Sequence, residues 1–211
     1  MSPARVAVLL SGRGSNFLAL HGAMERGEVA AEIVRVISNN PDAAGLQKAR
    51  DLRIPALAIP NRLEPGREAH EAKVLAALAD AGVDWICLAG YMRKLSTSFV
   101  AQHSQRILNI HPSLLPAFPG MEAQRQAFEW GVTVTGCTVH LVDETLDQGP
   151  IVVQRTVPVR GDDTVESLAA RILAEEHKAY PEALQRLITE PWEVAGRRVL
   201  FRGTAMRSLD A

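Results

Sequence analysis

Cysteine is nearly missing from this chain. Its two cysteines, Cys87 and Cys137, lie far apart, each inside an apolar run (WICLA and GCTVHL). Both read as small core residues of a reducing compartment; a disulfide is the less favoured reading, and without a CxxC pair no zinc-type ligand set is offered. An excess of one charge is missing too, since 23 basic side chains stand against 24 acidic ones. Such a chain has no field to gather a polyanion, so no nucleic-acid partner is expected. Long hydrophobic runs are also lacking. The N-terminal run RVAVLL stops at Ser11-Gly12, far short of the roughly 18 residues that span a bilayer. It reads as a first strand and not as a signal or anchor, which predicts a cytoplasmic protein with no membrane partner. Nor is the composition that of a disordered chain: 47% of the residues are hydrophobic and 22% charged, as in ordinary globular proteins. A length of 211 residues suits one sizeable core and predicts one domain.

What is present is alternation. Apolar, β-branched-rich runs at 5–11, 32–38, 55–59, 84–90 and 106–110 are separated by helical patterns at 15–27, 42–52, 65–81 and 96–103. That order predicts an α/β, Rossmann-like fold with a mostly parallel open sheet flanked by helices. Asn40 and Pro41 suggest the N-cap and first position of the second helix, and Gly82 the C′ position of the third. After a proline-punctuated loop and a helix at 121–130, two long strands, 134–142 and 150–159, are joined by a polar loop and predict an antiparallel extension of the sheet in the C-terminal half. A helix capped by Asp163 or Thr164 is expected to reach about Tyr180. Another covers 181–189, and a terminal strand or hairpin covers 193–201.

Ligands in open α/β sheets collect at the carboxyl ends of the strands. Three segments fall at such ends: Ser11–Asn16, Gly90–Leu95 and Asn109–Gly120. The first, SGRGSN, leaves a strand and opens a helix, so its free N–H groups and positive helix end suit an anion. It is not a dinucleotide loop. The third glycine position holds Phe17, and the second strand ends in Ser38-Asn39-Asn40, with no carboxylate for a ribose. A monophosphate fits better, although a glycine turn that merely tightens a strand–helix corner accounts for the loop equally well.

In the third segment Asn109 and His111 stand two residues apart, on one face of an extended chain, and Pro112, Pro116 and Pro119 stiffen the loop beyond the strand. Acyl transfer between amines needs a donor for the developing oxyanion, a group that moves protons and a charge that tunes that group. Asn109, His111 and, in the loop DETLDQG, Asp147 offer these three chemistries. Each taken singly reads as a structural residue; the combination points to a site.

At these residues the chain resembles a known family. SGRGSN, ISNNPDAAGLQKA, CLAGYMRKLS, ILNIHPSLLPAFPG and GCTVHLVDETLDQGPIVVQ are similar, in order, to blocks of the glycinamide ribonucleotide formyltransferases. The likeness covers roughly residues 5–185 and is most specific at IHPSLLP and the Asp147-x-Gly149 loop. It implies metal-independent transfer of a formyl group from 10-formyltetrahydrofolate to the amine of 5-phosphoribosylglycinamide in purine biosynthesis, by a monomer or homodimer. It further implies Asn109, His111 and Asp147 as the catalytic trio, Gly14, Ser15 and Asn16 on the acceptor phosphate, and Glu176 on its ribose. Met92, Arg93, Lys94 and Leu95 would border the folate, Leu88, Val142 and the 143–147 backbone would read the pterin, Asn109 would also touch the donor, and Arg67 would lie near it. On this basis residues 1–100 form a phosphate-binding half, 101–190 a catalytic and folate-binding half, and 191–211 a terminal strand and tail. One departure stands out: Met121-Glu122-Ala123-Gln124 occupies the helix-opening segment where the family often carries histidines. The competing readings are a formyltetrahydrofolate deformylase, which hydrolyses the donor, and a folate- or nucleotide-sensing module without catalysis. A methionyl-tRNA formyltransferase would need a further domain and a basic face.

Overall fold

The structure, a computed structural model, describes residues 2–63 and 66–202. Its frame is a nine-stranded sheet in the order β3-β2-β1-β4-β5-β6-β7-β9-β8. The strands are β1 (Ala4–Leu10), β2 (Ala31–Ser38), β3 (Ala56–Ala58), β4 (Trp85–Leu88), β5 (Ile107–His111), β6 (Val134–Leu141), β7 (Ile151–Pro158), β8 (Trp192–Ala195) and β9 (Arg198–Phe201). The first five pair in parallel, whereas β6 runs antiparallel to both β5 and β7. This is the mostly parallel sheet with an antiparallel extension that the alternation predicts.

The central strands are apolar on both faces because both faces are covered. In β1 the side chains of Val6, Val8 and Leu10 pack on one side with Phe17, Leu20 and Ala23 of α1 (Ser15–Glu25). On the same side lie Leu46 and Ala49 of α2 (Ala44–Asp51). Ala7 and Leu9 face the other way, against Val74 and Leu78 of α3 (Arg67–Asp80) and Phe99 and Val100 of α4 (Thr97–Gln102). A period of two thus sorts one strand into two cores. Gly82, at a φ of 57°, follows the end of α3 as expected, while Pro65, at the start of the stretch expected to be helical, lies outside the described residues.

Three expectations are corrected. The second helix is not capped by Asn40 with Pro41 at its first position: Asn40 to Ala43 form a turn in which Asn40 Oδ1 accepts from Asp42 N at 3.1 Å, and Ala43 is the N-cap. Packing sets this start, because Gly45 N donates to Gly12 O at 3.0 Å and docks the first turn of the helix on the glycine loop. The helix after β6 and β7 is capped by Thr164 and runs unbroken from Val165 to Thr189 as α6, with Pro181 inside it. Proline removes one helical donor there, but Tyr180 and Pro181 are buried, and the Tyr180 hydroxyl lies 3.0 and 2.9 Å from the carbonyls of Leu88 and Leu108, so tertiary anchoring outweighs the lost bond. The helix expected at 121–130 is the shorter α5 (Ala123–Glu129), because Glu122 sits in the left-handed region, at φ 56°, and acts as its N-cap. At the end of the chain β8 and β9 form an antiparallel hairpin turning at Gly196, φ 59°. Residues 203–211 of the expected tail lie outside the described residues.

Candidate active site

The order of the sheet reverses beside β1, whose neighbours are β2 and β4, and the loops at the carboxyl ends splay apart at such a point. Two of the segments marked in the sequence are hydrogen-bonded there. Ser11 N donates to Gly90 O at 3.0 Å, and the Ser11 hydroxyl accepts from Met92 N at 2.8 Å while donating to Asn39 Oδ1. The third segment joins through the β4–β5 pairing, where Leu88 stands opposite Asn109.

Gly14 caps α1 at a φ of 71°. A Cβ on it would come within 2.9 Å of the Cα of Gly45, so glycine permits both the left-handed turn and the close approach of α2. The first N–H groups of α1 lie beyond this cap without intrahelical partners, at the positive end of the helix. Asn16, nearly buried, donates from Nδ2 to Glu176 Oε2 of α6 at 2.7 Å. Its Oδ1 is buried and has no hydrogen-bond partner. Burial pushes the Glu176 carboxyl above its ordinary value, and the bond from Asn16 partly offsets this. Two residues far apart in sequence, Asn16 and Glu176, therefore meet beside the glycine loop.

The register between β5 and β6 builds the second half of the site. Asn109 stands opposite His140, and His111 opposite Thr138, so the polar face of β5 meets polar residues on β6. His140 Nδ1 donates to Leu141 O at 2.9 Å, which leaves Nε2 as the acceptor for Asn109 Nδ2 at 3.1 Å. Burial lowers the His140 pKa and favours this neutral form, although the Leu141 carbonyl and Asp147 oppose it. The amide of Asn109 is thereby fixed in one orientation, with its second N–H left over. His111, 5% exposed, donates from Nε2 to Phe118 O at 2.8 Å. Its Nδ1 faces Asp147 Oδ2 at 3.5 Å, and Asp147 Oδ1 lies 3.9 Å from His140 Nε2.

Asp147 reaches these rings from the loop between β6 and β7. Its own backbone is in the left-handed region at φ 54°, and its Oδ2 accepts from Gly120 N at 2.8 Å. Such a conformation is strained for a non-glycine residue and persists only where the surroundings enforce it. Gly149 permits the close return of this loop to β6, since a Cβ there would fall 1.8 Å from Leu141 O. A cleft of about 360 Å3 opens beside Asp147, between Pro116, Pro119 and Gly120 on one side and Leu146, Gln148 and Arg197 on the other. A larger one, about 470 Å3, lies at the opposite strand ends near Ala4, Trp85 and Arg106. It contains none of the three catalytic candidates.

The residues expected along the folate divide. Leu88 and Leu95 are almost wholly buried and belong to the core cluster beneath the 90–95 turn, with half-buried Val142 packed on it. Met92 is 69% exposed, Lys94 exposed and Arg93 half-buried. Arg67 stands exposed in the first turn of α3, and no hydrogen bond or ion pair among the described residues ties it to the trio. Met121 and Glu122, at the departure from the pattern of the resembled family, are exposed. The sequence reading missed His140, Thr138 and Arg197. The alternation of Thr138 and His140 along β6 was the available signal for the first two; nothing in the sequence places Arg197, which comes from the terminal hairpin.

With this geometry in hand, comparison with known proteins decides the family. The Formyl transferase family matches residues 4–184. The chain belongs to the formyl transferase family. It is 39% identical over 200 residues to the phosphoribosylglycinamide formyltransferase of Escherichia coli (strain K12), covering 95% of this chain and 92% of that protein. It is 48% identical over 182 residues to the human trifunctional purine biosynthetic protein adenosine-3, but there it spans only 18% of the relative's length. The crystal structure of glycinamide ribonucleotide transformylase 1 from Symbiobacterium toebii superposes with a TM-score of 0.92 at 47% identity, covering 95% of this chain and 94% of that one. The formyl transferase match ends inside α6, so the hairpin that brings Arg197 to the cleft lies beyond it.

Proposed function

We propose that this member of the formyl transferase family is a phosphoribosylglycinamide formyltransferase, moving the formyl group of 10-formyltetrahydrofolate onto the amine of 5-phosphoribosylglycinamide in purine biosynthesis. The observation that carries the reading is one crevice in which an oriented amide, an imidazole and a carboxylate converge, beside a helix N-terminus flanked by Asn16 and Glu176.

The acceptor phosphate sits on the N–H groups of Gly14, Ser15 and Asn16, where the helix end favours an anion. Glu176 takes the ribose hydroxyls, and the buried Asn16 Oδ1 gains a donor. The folate ring lies along the apolar edge of Leu88, Leu95 and Val142 and the 143–147 backbone, bordered by Met92, Arg93 and Lys94, with Arg67 towards the outer part of the donor. The amine nitrogen attacks the formyl carbon to give a tetrahedral adduct. The spare Asn109 N–H and a proton on His111 Nδ1 stabilise its oxyanion. The bond from carbon to the folate nitrogen then breaks. The amine gives up one proton and the departing nitrogen takes one up, with Asp147, facing His111 Nδ1, relaying it. No metal and no covalent enzyme intermediate takes part.

The test is to follow tetrahydrofolate formation with the donor alone and with both substrates. Turnover is expected only when the acceptor is present, and Asn109→Ala and His111→Ala are each expected to lower kcat by about 100- to 1000-fold with unchanged circular dichroism. Release of formate without acceptor would make the protein a deformylase, and binding of both ligands without transfer would make it a sensor.

A further inference from the structure

Beyond the trio, the sheet carries a second polar row. His111 of β5 stands opposite Thr138 of β6, and Thr138 stands opposite Gln154 of β7, so three strands contribute one polar residue each to a single line across the sheet. Ser113 and Thr138 are fully buried. The Thr138 hydroxyl donates to Ser113 O at 2.7 Å and accepts from Leu115 N at 3.0 Å. Gln154 Nε2 bridges Leu115 O at 2.9 Å and the Thr138 hydroxyl at 3.0 Å. Both ends of the segment from Ser113 to Leu115 are therefore tied to the sheet through one hydroxyl.

That segment leads to the carbonyl that orients His111. The Ser113 hydroxyl donates across the loop to Ala117 O at 2.5 Å, and Phe118, in the left-handed region at φ 52°, turns its own carbonyl back onto His111 Nε2 at 2.8 Å. A carbonyl can only accept, so this contact places the Nε2 proton and leaves Nδ1 as the nitrogen presented to Asp147. A buried hydroxyl that fixes the loop on either side also fixes the carbonyl, and through it the tautomer and angle of the ring.

We propose that Thr138, supported by Gln154, is a positioning residue: its hydroxyl clamps the 113–118 loop so that Phe118 O holds His111 with Nδ1 facing Asp147. The kinetic part of this inference rests on the formyl-transfer reading above; the tautomer part does not.

Thr138→Val keeps the shape and removes the hydroxyl. Nitrogen-15 spectra of labelled histidine, with His111→Ala identifying the signal, are expected to show the Nε2–H tautomer for neutral His111 in the unaltered protein and a tautomer mixture in Thr138→Val. The same variant is expected to lower kcat by about 10- to 100-fold, as loss of an orienting partner does, with KM for either substrate changing less than about threefold. Thr138→Ser is expected to restore both. An unchanged tautomer in Thr138→Val overturns the proposal, as does a Thr138→Ser variant as impaired as the valine, which would make the effect one of packing. If Thr138→Val does not fold, Gln154→Ala at its exposed position takes its place: a shifted tautomer supports the clamp and an unchanged one refutes it. Should the unaltered protein show no transfer at all, the functional reading fails while the spectra still decide the clamp.

Discussion

The chemistry of the site depends on which protonation state burial selects at His140. Burial depresses the pKa of His140, and likewise of His103 and His177. Between those lowered folded values and the ordinary 6.5, the unfolded chain binds more protons than the folded one, so stability is full above that range and is lost as the pH falls through it. The urea midpoint is therefore expected to drop on going from about pH 7.5 to pH 5.5, and His140→Gln to make that drop shallower. An equal or steeper drop in the variant would show that His140 is not held neutral. Asn109 and His111 were legible in the sequence because they stand two positions apart along one strand, and spacing is a local property. His140 and Thr138 were not singled out, because what makes them part of the site is the register with β5, a long-range pairing that no local pattern encodes.

Elements fix where those residues point. Apolar alternation was enough to read the strands and most helices, since β1 alone feeds two cores. Proline marked the loop after β5 correctly but misled at two other places. Pro41 lies in a turn ahead of α2, whose start Gly45 sets by docking on Gly12, and Pro181 lies within α6, whose buried Tyr180 ties the helix to β4 and β5. The loop after β6 is equally constrained. A methyl group at Gly149 would meet the backbone of Leu141 and, at 3.2 Å, Asp143 N, neither of which can rotate away. Gly149→Ala is thus expected to destabilise the fold by about 1–3 kcal/mol and, by displacing Asp147, to lower turnover by about 100-fold. Both are read from a denaturation curve and a kcat measurement. Near-normal turnover would mean that Asp147 need not be held where it is.

For the molecule as a whole, the sheet order decides which end is used. Parallel pairing of β1, β4 and β5 brings the glycine loop, the 90–95 turn and the 109–120 loop to one edge, and the antiparallel β6 returns His140 and Asp147 to the same edge. The roomier cleft, at the other edge, lacks these groups. The most direct test is a crystal structure of the protein with a stable adduct of the two substrates, joined through a carbon that stands for the transferred formyl group. Its oxygen is expected about 3 Å from Asn109 Nδ2 and His111 Nδ1, with the phosphate on the first turn of α1 and the ribose against Glu176. An adduct bound at the Trp85–Arg106 cleft, or with its central carbon out of reach of Asn109 and His111, would contradict the account.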